Sequence, residues 1–547
     1  MNTNELGSFL LIAIISIAIC MAIIPVMMRF ASALGMVDKP DPRKVHAFPI
    51  PRVGGIGIVI GALVPMLIWL PGTPLIYSFI FGCIVLLVFG IWDDARELGH
   101  YVKFIGQFVA ALSVVYYGDL YVQHFPYIGL NTIPETIGKP FTVLALVGVI
   151  NALNHSDGLD GLAGGESLLS FGAVAYLAYL YDGFNVLVIS AATMGGIFGF
   201  LRFNSHPARV FMGDGGSQFI GYALGVLVVL LTQEVNPVLS PAIVLLLLGL
   251  PIVDILAVLF LRAKGNMNLF RATKNHIHHR LLALGFYHYE SVMLIYSVQA
   301  FLVICAILLP YENDYVLTGI YVIVSSLVFT TLTIAEHRGY HIHQSAQSSE
   351  ADETYPKYFK NKHVLALPGQ ILESGILIFL IGTALMSVKI PADIAVSALV
   401  LLLMLLLLVL VPKLANLFLF RLIVFISIGF AVYLSTSYPP EWLIEQNYLV
   451  LLFFALLTFA GFMSFRLSAE ASFSVTPLDY LVIIIALSIA VIPENRNASS
   501  NMTWMALQMI VLFYSSELII QRMGTIRNRL SGSLIAMLLL VAVRGLL

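Results

Sequence analysis

The sequence is poor in charged residues. Of its 547 residues, 11% are charged and 59% are hydrophobic, and the mean hydropathy is +0.94. A water-soluble domain carries roughly 25% charged residues, so the composition excludes an ordinary soluble protein. The formal net charge of −2 gives no bulk attraction for nucleic acid, and we expect no nucleic-acid partner.

Cysteine is scarce, and the features of a cleavable leader are missing. Cys20, Cys83 and Cys305 all lie within apolar runs, which argues against a disulfide framework or a thiolate metal site. The first ten residues, MNTNELGSFL, contain no positive charge and no small-residue cleavage site. We therefore interpret the first apolar run as a retained helix rather than a signal peptide.

The sequence contains instead many apolar runs close to the roughly 20 residues that a helix needs to cross a bilayer. They predict an all-α polytopic membrane protein of about 18 helices. The first set lies near residues 8–28, 54–70, 75–92, 104–118, 140–155, 166–180, 186–203, 217–231, 240–261, 290–309 and 315–335. The second set lies near residues 370–388, 393–411, 416–434, 447–463, 478–492, 503–521 and 532–547.

The basic residues favour one topology. With the N-terminus outside and alternating helices, the outside loops receive only Lys139, Lys389 and Arg496 of the 28 lysines and arginines. Arg421 and Arg544 lie within apolar runs, and all other basic residues fall in inside loops, as the positive-inside rule requires. We therefore predict that the N-terminus lies outside.

A long polar stretch separates the two sets of runs. We predict a membrane domain over residues 1–340, a cytoplasmic linker over residues 341–369 and a second multi-helix membrane domain over residues 370–547. In the second domain, Arg421 and Glu517 lie within apolar runs, where an unpaired charge is costly. We expect them to pair with each other or with a partner protein.

Adjacent carboxylates end the third run, in FGIWDDAREL. Asp93 and Asp94 repel each other at a membrane boundary unless a cation or a shared proton offsets their charge. They indicate a divalent-metal and phosphate site, and a solvated helix end is the alternative. Lys103, at the entry to the next run, offers a point charge for a phosphate.

The fifth run leads into the polar segment NALNHSDGLDGLAGG. Asp157 and Asp160 are three residues apart, so a helical turn would place them on one face, to which Asn154 adds an amide. The glycines let a ligand approach the backbone closely. Hydrophobic packing gives no reason for this much polarity at a helix end, so the segment indicates a ligand site.

Two further inside loops add charge. Asp214 lies between glycines in RVFMGDGGS, which suggests a tight turn that presents the carboxylate to a ligand; a plain turn before a helix is the alternative. The first inside loop, KVHAFPIPRVGG, contributes Lys44, His46 and Arg52 to a basic lining.

The loop after the ninth run holds three histidines among three cations: His276, His278, His279, Arg271, Lys274 and Arg280. Such spacing is compatible with zinc, but no cysteine accompanies the histidines, and the cations would repel a metal ion. We favour a pyrophosphate-binding cluster with imidazole donors. A zinc site and a solvated basic loop are the alternatives.

These clusters share one predicted side of the membrane. Carboxylates that hold a divalent ion, beside cations that offset developing charge, suit phosphoryl transfer. Hard oxygen ligands without thiolates favour Mg²⁺ or Mn²⁺. The hypothesis requires the WDDA carboxylates and the GDGGS carboxylate to lie together.

In this order, the motifs DD, NxxNxxDGLDGLAxG, GDxGS and HIHHR resemble those of the polyprenyl-phosphate N-acetylhexosamine-1-phosphate transferases, a group within glycosyltransferase family 4, over roughly residues 1–340. The resemblance implies a bundle of about 10 or 11 membrane helices with a cytoplasmic catalytic cleft. About seven further C-terminal helices have no counterpart in the family core.

The resemblance also implies residue roles. Asp93, Asp94 and Asp214 would be catalytic, and Asp214, Asn154 and Asp157 would hold the metal. With the basic lining, the expected substrate-binding residues are Lys44, His46, Arg52, Lys103, Asn154, Asp157, Asp160, His276, His278, His279 and Arg280. Asp254 also matches the family and needs a partner, because it lies within an apolar run.

The implied reaction moves N-acetylhexosamine 1-phosphate, with N-acetylglucosamine favoured by HIHHR, from a UDP-sugar to undecaprenyl or another polyprenyl phosphate. UMP is released, and synthesis of a lipid-linked cell-surface polysaccharide begins. A lipid-linked transporter or flippase is the alternative, and it would place substrate-binding charges near mid-membrane.

We expect a multi-pass protein of the bacterial cytoplasmic (inner) membrane whose active site faces the cytoplasm. The expected partners are both substrates and the lipid bilayer. The candidate protein partners are other polysaccharide-assembly membrane proteins, bound through residues 370–547 as a scaffold or assembly module, and a second copy of the chain in a homodimer.

Overall fold

A computed structural model gives the fold, which is almost entirely helical. The structure describes residues 3–38, 48–96, 98–127, 132–265, 275–342, 362–411, 417–466, 481, 484–485, 502–521 and 529–546. The chain divides into two compact units, one drawn chiefly from residues 12–346 and the other chiefly from residues 347–547. This division falls within the predicted linker, of which residues 343–361 lie outside the described residues.

The first unit contains most of α1 and all of α2 to α12. The helices are α1 (Thr3–Phe30), α2 (Gly54–Trp69), α3 (Pro74–Arg96), α4 (His100–Leu112), α5 (Glu135–Ser156), α6 (Leu162–Leu180), α7 (Phe184–Asn204), α8 (Gly213–Leu230), α9 (Ile243–Lys264), α10 (Ile277–Ala283), α11 (His288–Leu308) and α12 (Asp314–His337). Helices α4 and α8 continue as single π-helical turns, Ser113–Tyr117 and Leu231–Val235. Strands β1 (Val37–Asp38) and β2 (Ile50–Pro51) form a short antiparallel pair.

The second unit is also built from helices. They are α13 (Lys362–Met386), α14 (Ala392–Leu410), α15 (Leu417–Ser437), α16 (Glu441–Glu445), α17 (Asn447–Arg466), α18 (Met502–Gln521) and α19 (Arg529–Leu546). Each predicted apolar run coincides with a helix except the run at 478–492, most of which lies outside the described residues.

The predicted fold class, an all-α polytopic membrane protein, is confirmed. Among the described residues, 12 helices are long and apolar enough to cross a membrane. Four further apolar helices are shorter: Gly54–Trp69, Tyr101–Tyr117, Tyr448–Gly461 and Leu507–Ile520. The number of helices that cross and the sidedness of the loops stay predictions.

Helix α8 forms the core of the first unit, and glycines let its neighbours approach it closely. A methyl group on Gly90 of α3 would lie 2.2 Å from Cα of Gly215, and one on Gly55 of α2 would lie 2.3 Å from N of Gly216. Small residues at such crossings allow backbones to touch. The glycines that follow Asp214 therefore bring α2 and α3 against the start of α8.

Helix α9 is broken in the middle. Gly249 has φ 52° and ψ −133°, a conformation that glycine adopts most readily. The freed backbone groups find side chains on other helices: Leu250 N–H donates to Gln299 Oε1 at 3.0 Å, and Tyr321 donates to the Gly249 carbonyl at 2.9 Å. These two contacts pair the backbone amide of Leu250 and the carbonyl of Gly249 at the break.

The second unit pairs the charges that the sequence places in its apolar runs. Arg421 of α15 and Glu517 of α18 form an ion pair of 2.7 Å, which confirms the expectation that they pair with each other. Arg544, at the end of α19, donates to the carbonyls of Ala384 and Leu385 at 2.6 and 2.8 Å. Its charge therefore caps the C-terminal end of α13.

Candidate active site

A cavity of about 890 Å³ opens where the ends of α3 and α5 meet the start of α8. Its wall brings together most of the residues that the sequence predicts for the site: Arg52, Asp93, Asp94, Lys103, Asn154, Asp157, Asp160, Asp214 and His279. His276, His278 and Arg280 do not line it. Lys44, His46, Arg271 and Lys274 lie outside the described residues.

Lys103 links two of the predicted catalytic carboxylates. Its Nζ lies 2.6 Å from Asp93 Oδ2 and 2.6 Å from Asp214 Oδ2. Asn154 donates to Asp214 Oδ1 at 3.1 Å, and Leu98 N–H donates to Asp93 Oδ1 at 2.6 Å. Both carboxylates are therefore held in fixed orientations by groups from α4, α5 and the segment between α3 and α4.

Asp94 touches the turn that presents Asp214. It is buried, and its Oδ1 accepts the backbone N–H of Asp214 at 3.1 Å. Gly213 has φ 72°, and a methyl group there would lie 2.5 Å from Asp94 Oδ2. Glycine is needed at this position for its backbone conformation and for the space that Asp94 fills.

The first inside loop is joined to the same turn through the backbone. Phe211 N–H donates to the Pro51 carbonyl at 2.8 Å, and Gly55 N–H donates to the Met212 carbonyl at 2.7 Å. Arg52 lies at this junction and forms an ion pair with Asp38 of β1. Its guanidinium is thus fixed on the cavity wall by a carboxylate that sequence reasoning did not select.

Asp157 adds a further acidic group. Burial, and then the charges of Asp214 and Asp160, raise the pKa of Asp157 to about 7. The acidic groups around this cavity therefore repel one another, and any group that binds there with positive charge is favoured.

Asp160 is clamped by the loop after α7 and by α11. Its Oδ2 accepts His206 Nδ1–H at 2.7 Å and Ala208 N–H at 3.0 Å. Its own N–H donates to His288 Nε2 at 3.0 Å. The rings of His206 and His288 stack with centroids 4.1 Å apart, so the two histidines fix both the side chain and the backbone of Asp160.

The trio of Asp160, His206 and His288 also has ligand atoms within 4.8 Å of one another, close enough for a metal ion. However, the lone pair on His288 Nε2 already accepts the Asp160 N–H. We therefore assign the trio to positioning Asp160.

The histidine loop reaches the cavity through one ring. His279 lines the wall, whereas His276 directly precedes α10 and bonds Asp254 Oδ2 through Nδ1 at 2.7 Å. Asp254 also accepts Ile277 N–H at 2.9 Å, which supplies the partner that its apolar position requires. The Asp254 carboxylate therefore anchors the start of α10.

His278 packs against the polar segment after α5. A methyl group on Gly158 would lie 2.2 Å from His278 Nε2, so only glycine fits there. Burial, and then the nearby His279 and His276, hold the pKa of His278 well below its usual range. The ring is therefore neutral, and it packs against Gly158.

Arg280 points to a different partner. Its Nε and Nη2 donate to Glu336 Oε1 and Oε2, both at 2.7 Å, and Nη2 also donates to Thr333 Oγ1 at 2.9 Å. This two-pronged pair ties α10 to α12. The predicted role of Arg280 in substrate binding stays a prediction.

Sequence reasoning missed several residues of the wall: Asp38, Asn204, His206, Arg209 and His288. Three of them lie in one segment, NSHPAR, which ends three residues before the GDGGS turn. Asn204 accepts Gly161 N–H at 2.8 Å and so joins that segment to the DGLDG turn. The short separation in sequence between NSHPAR and GDGGS could have indicated that these residues belong to the same site.

The arrangement combines fixed carboxylates with cations on one wall. Asp93, Asp94 and Asp214 can accept a proton or bind a cation, and Lys103, Arg52 and Arg209 can offset phosphate charge. Such a set suits the displacement of one phosphate group by another.

Comparison with known proteins identifies one matching family model and several similar proteins. A family model described as glycosyl transferase family 4 matches residues 76–232. The chain is 34% identical over 329 residues to a probable undecaprenyl-phosphate N-acetylglucosaminyl 1-phosphate transferase of Bacillus subtilis, covering 60% of this chain and 91% of that protein.

Two further relatives are similar to this chain over about half of its length. Identity is 30% over 296 residues to the undecaprenyl-phosphate alpha-N-acetylglucosaminyl 1-phosphate transferase of Escherichia coli, covering 52% of this chain and 79% of that protein. It is 33% over 300 residues to the decaprenyl-phosphate N-acetylglucosaminephosphotransferase of Mycobacterium tuberculosis, covering 49% of this chain and 74% of that protein.

Proposed function

The chain belongs to glycosyl transferase family 4, among the polyprenyl-phosphate N-acetylhexosamine-1-phosphate transferases, and on this premise we propose its reaction. It transfers N-acetylglucosamine 1-phosphate from a UDP-sugar to undecaprenyl or a similar polyprenyl phosphate, and it releases UMP. The product begins a lipid-linked cell-surface polysaccharide.

The observation that carries this proposal is the meeting of three carboxylates at one cavity: Asp93 and Asp214 share Lys103, and Asp94 accepts the backbone N–H of Asp214. Lys103 lies 2.6 Å from carboxylate oxygens of both Asp93 and Asp214. A transporter or flippase gains no support, because these charged groups gather at helix ends rather than at mid-membrane.

In the reaction, an oxygen of the lipid phosphate forms a bond with the β-phosphorus of the UDP-sugar. The bond from that phosphorus to the bridging oxygen breaks, and UMP leaves with the oxygen. Asp93 or Asp94 accepts a proton from the lipid phosphate or positions its oxygen. Lys103, Arg52 and Arg209 offset the charge that spreads over the phosphate oxygens.

The donor set fits a hard divalent cation. Asp214 and Asp157 offer carboxylate oxygens, and Asn154 keeps its amide oxygen available because its amide nitrogen donates to Asp214 and Ser217. Oxygen donors without thiolates suit Mg²⁺ or Mn²⁺. When bound, such an ion would neutralise diphosphate oxygens and so stabilise the departing UMP.

The three cited relatives carry N-acetylglucosamine in their names, and this supports the same sugar here. The chain is a multi-pass membrane protein. A location in the bacterial inner membrane with a cytoplasmic cavity is supported by the basic residues of the inside loops and by the water-soluble UDP-sugar.

Exchange of labelled UMP into UDP-N-acetylglucosamine tests the reaction. With purified protein, polyprenyl phosphate and Mg²⁺, the label should pass from UMP into the UDP-sugar. Chelation of the metal should stop this exchange. A panel of UDP-sugars then identifies the sugar. Failure with every UDP-sugar tested would contradict the proposal.

For the second unit we keep the proposal of a scaffold or assembly module for other membrane proteins. Deletion of residues 370–547 should leave UMP exchange intact. Loss of exchange in a folded truncated protein would assign that unit a part in the transfer itself.

A further inference from the structure

The second unit contains a half-open cavity of about 810 Å³ that is separate from the transferase site. Helices α13, α15, α17 and α18 and the segment around α16 form its wall. None of the described residues that line it is charged. The described lining therefore offers no opposite charge to a phosphate or a carboxylate.

Most polar groups of the wall are already satisfied. The hydroxyls of Thr383, Ser387, Ser435 and Thr436 each donate to a carbonyl of their own helix at 2.7 to 2.9 Å. These four side chains need no further donor or acceptor. They give the wall a weakly polar surface without fixed charge.

Gln508 of α18 differs from them. Its side chain is 1% exposed, it lines the cavity, and its Oε1 lies buried without a hydrogen-bond partner. A buried amide oxygen without a donor is unfavourable, and more so in a unit that lies in lipid. A ligand that brings one hydrogen-bond donor into the cavity would remove this cost.

The aromatic lining indicates what the rest of that ligand is. Trp442 and Trp504 line the cavity together with Phe379 and Phe453, and such surfaces bind apolar chains. We propose that this cavity binds an uncharged lipid alcohol, whose long apolar chain lies along the aromatic wall and whose single hydroxyl donates to Gln508.

The fluorescence of Trp442 and Trp504, which line the cavity, can report binding of a ligand there. The chain contains four tryptophans, so the changes W69F and W92F leave Trp442 and Trp504 as the only ones. Full-length protein of this background in nanodiscs is titrated with dibrominated octadecanol, whose bromines quench a tryptophan in contact. Saturable quenching reports binding in the cavity.

Two glycines give a matched pair of blocking variants. A methyl group added to Gly382, which lines the cavity, or to Gly461, which does not, would meet nothing within 4 Å. Gly382→Leu should therefore narrow the cavity and weaken the saturable quenching, whereas Gly461→Leu should retain it. Equal quenching in both variants would overturn the proposal.

A second comparison tests the hydroxyl. Dibrominated octadecanol should bind about fivefold more tightly than dibrominated octadecane, the gain expected of one hydrogen bond, and dibrominated octadecyl phosphate should bind more weakly than the alcohol. In Gln508→Leu the alcohol and the alkane should bind equally, and the ligand-free protein should melt at a higher temperature. Tighter binding of the phosphate, or an alcohol preference that survives in Gln508→Leu, would contradict the assignment.

Discussion

The carboxylate of Asp94 accepts a hydrogen bond from the backbone N–H of Asp214 at 3.1 Å, although the two residues are 120 positions apart in the chain. This contact meets the requirement of the sequence hypothesis that the WDDA acids and the GDGGS acid lie together. It joins the end of α3 to the start of α8, and the close crossing of Gly90 and Gly215 makes it geometrically feasible.

Asp214→Asn should reduce UMP release by about 1,000-fold, because an amide neither pairs with Lys103 nor binds a divalent cation well. The shape of the side chain is kept, so the melting temperature should change little. Asp182→Asn, at an exposed turn after α6, is the control and should retain full activity. Turnover of Asp214→Asn near the wild-type rate would reject the assignment.

Gly213→Ala should lower kcat by roughly tenfold, because the left-handed backbone is strained for alanine and the new methyl group displaces Asp94. Gly148→Ala of α5 is the matched control, since a methyl group there meets nothing within 4 Å. UMP release and thermal unfolding measured on both variants check this prediction. Equal activity of the two would show that the position of Asp94 does not matter.

His206→Leu should raise the KM for the UDP-sugar about fivefold with little change in kcat, because Asp160 loses one hydrogen-bond donor that holds it. His206→Asn should restore the KM, since its amide nitrogen can replace Nδ1 as the donor. Steady-state kinetics of the two variants, which give kcat and the KM for the UDP-sugar, test this prediction. If asparagine fails to rescue, the imidazole acts in some way other than by orienting Asp160.

Arg280→Met should lower the melting temperature at least as much as Glu336→Gln, because it also removes the bond to Thr333, and the double variant should be no less stable than Arg280→Met. The reason is that each removes the same two-pronged pair between α10 and α12. The KM for the UDP-sugar should be equal in both single variants. An increase found only in Arg280→Met would support a direct role of Arg280 in substrate binding.

His278 should make the protein less stable in mild acid. Its ring stays neutral when folded, whereas in the unfolded chain it takes up a proton as pH falls below about 6.5, so stability drops by about 1.4 kcal/mol per pH unit. Thermal unfolding between pH 7.5 and 5.5 should show a smaller loss in His278→Gln than in wild type. His341→Gln, at an exposed position, should behave as wild type; a His278→Gln curve parallel to it would contradict the prediction.

Hydropathy predicted the helices well because a run of apolar residues is a local property. The meeting of Asp93, Asp94, Asp157 and Asp214 could also be predicted, since all four lie at helix ends on one predicted side. The partners of Arg280 and Asp160 could not. Glu336 lies 56 positions from Arg280 and His288 lies 128 positions from Asp160, and such pairs depend on which helices are neighbours.

The break in α9 was likewise hidden from sequence reasoning. The run from 240 to 261 is apolar apart from Ser240 and Asp254, and its interior contains Gly249 and Pro251 as helix breakers, both of which are tolerated in membrane helices. What permits the break is Gln299 on α11 and Tyr321 on α12, whose positions relative to α9 follow from the packed bundle.

The ion pair of Arg421 with Glu517 also bears on how the chain enters the membrane. The ribosome adds 96 residues between them, which takes about 5–20 s at typical elongation rates. During that interval the arginine of α15 has been made and its counter-ion has not. An unpaired arginine in lipid is costly, so insertion of α15 costs less once Glu517 of α18 is available to pair with Arg421.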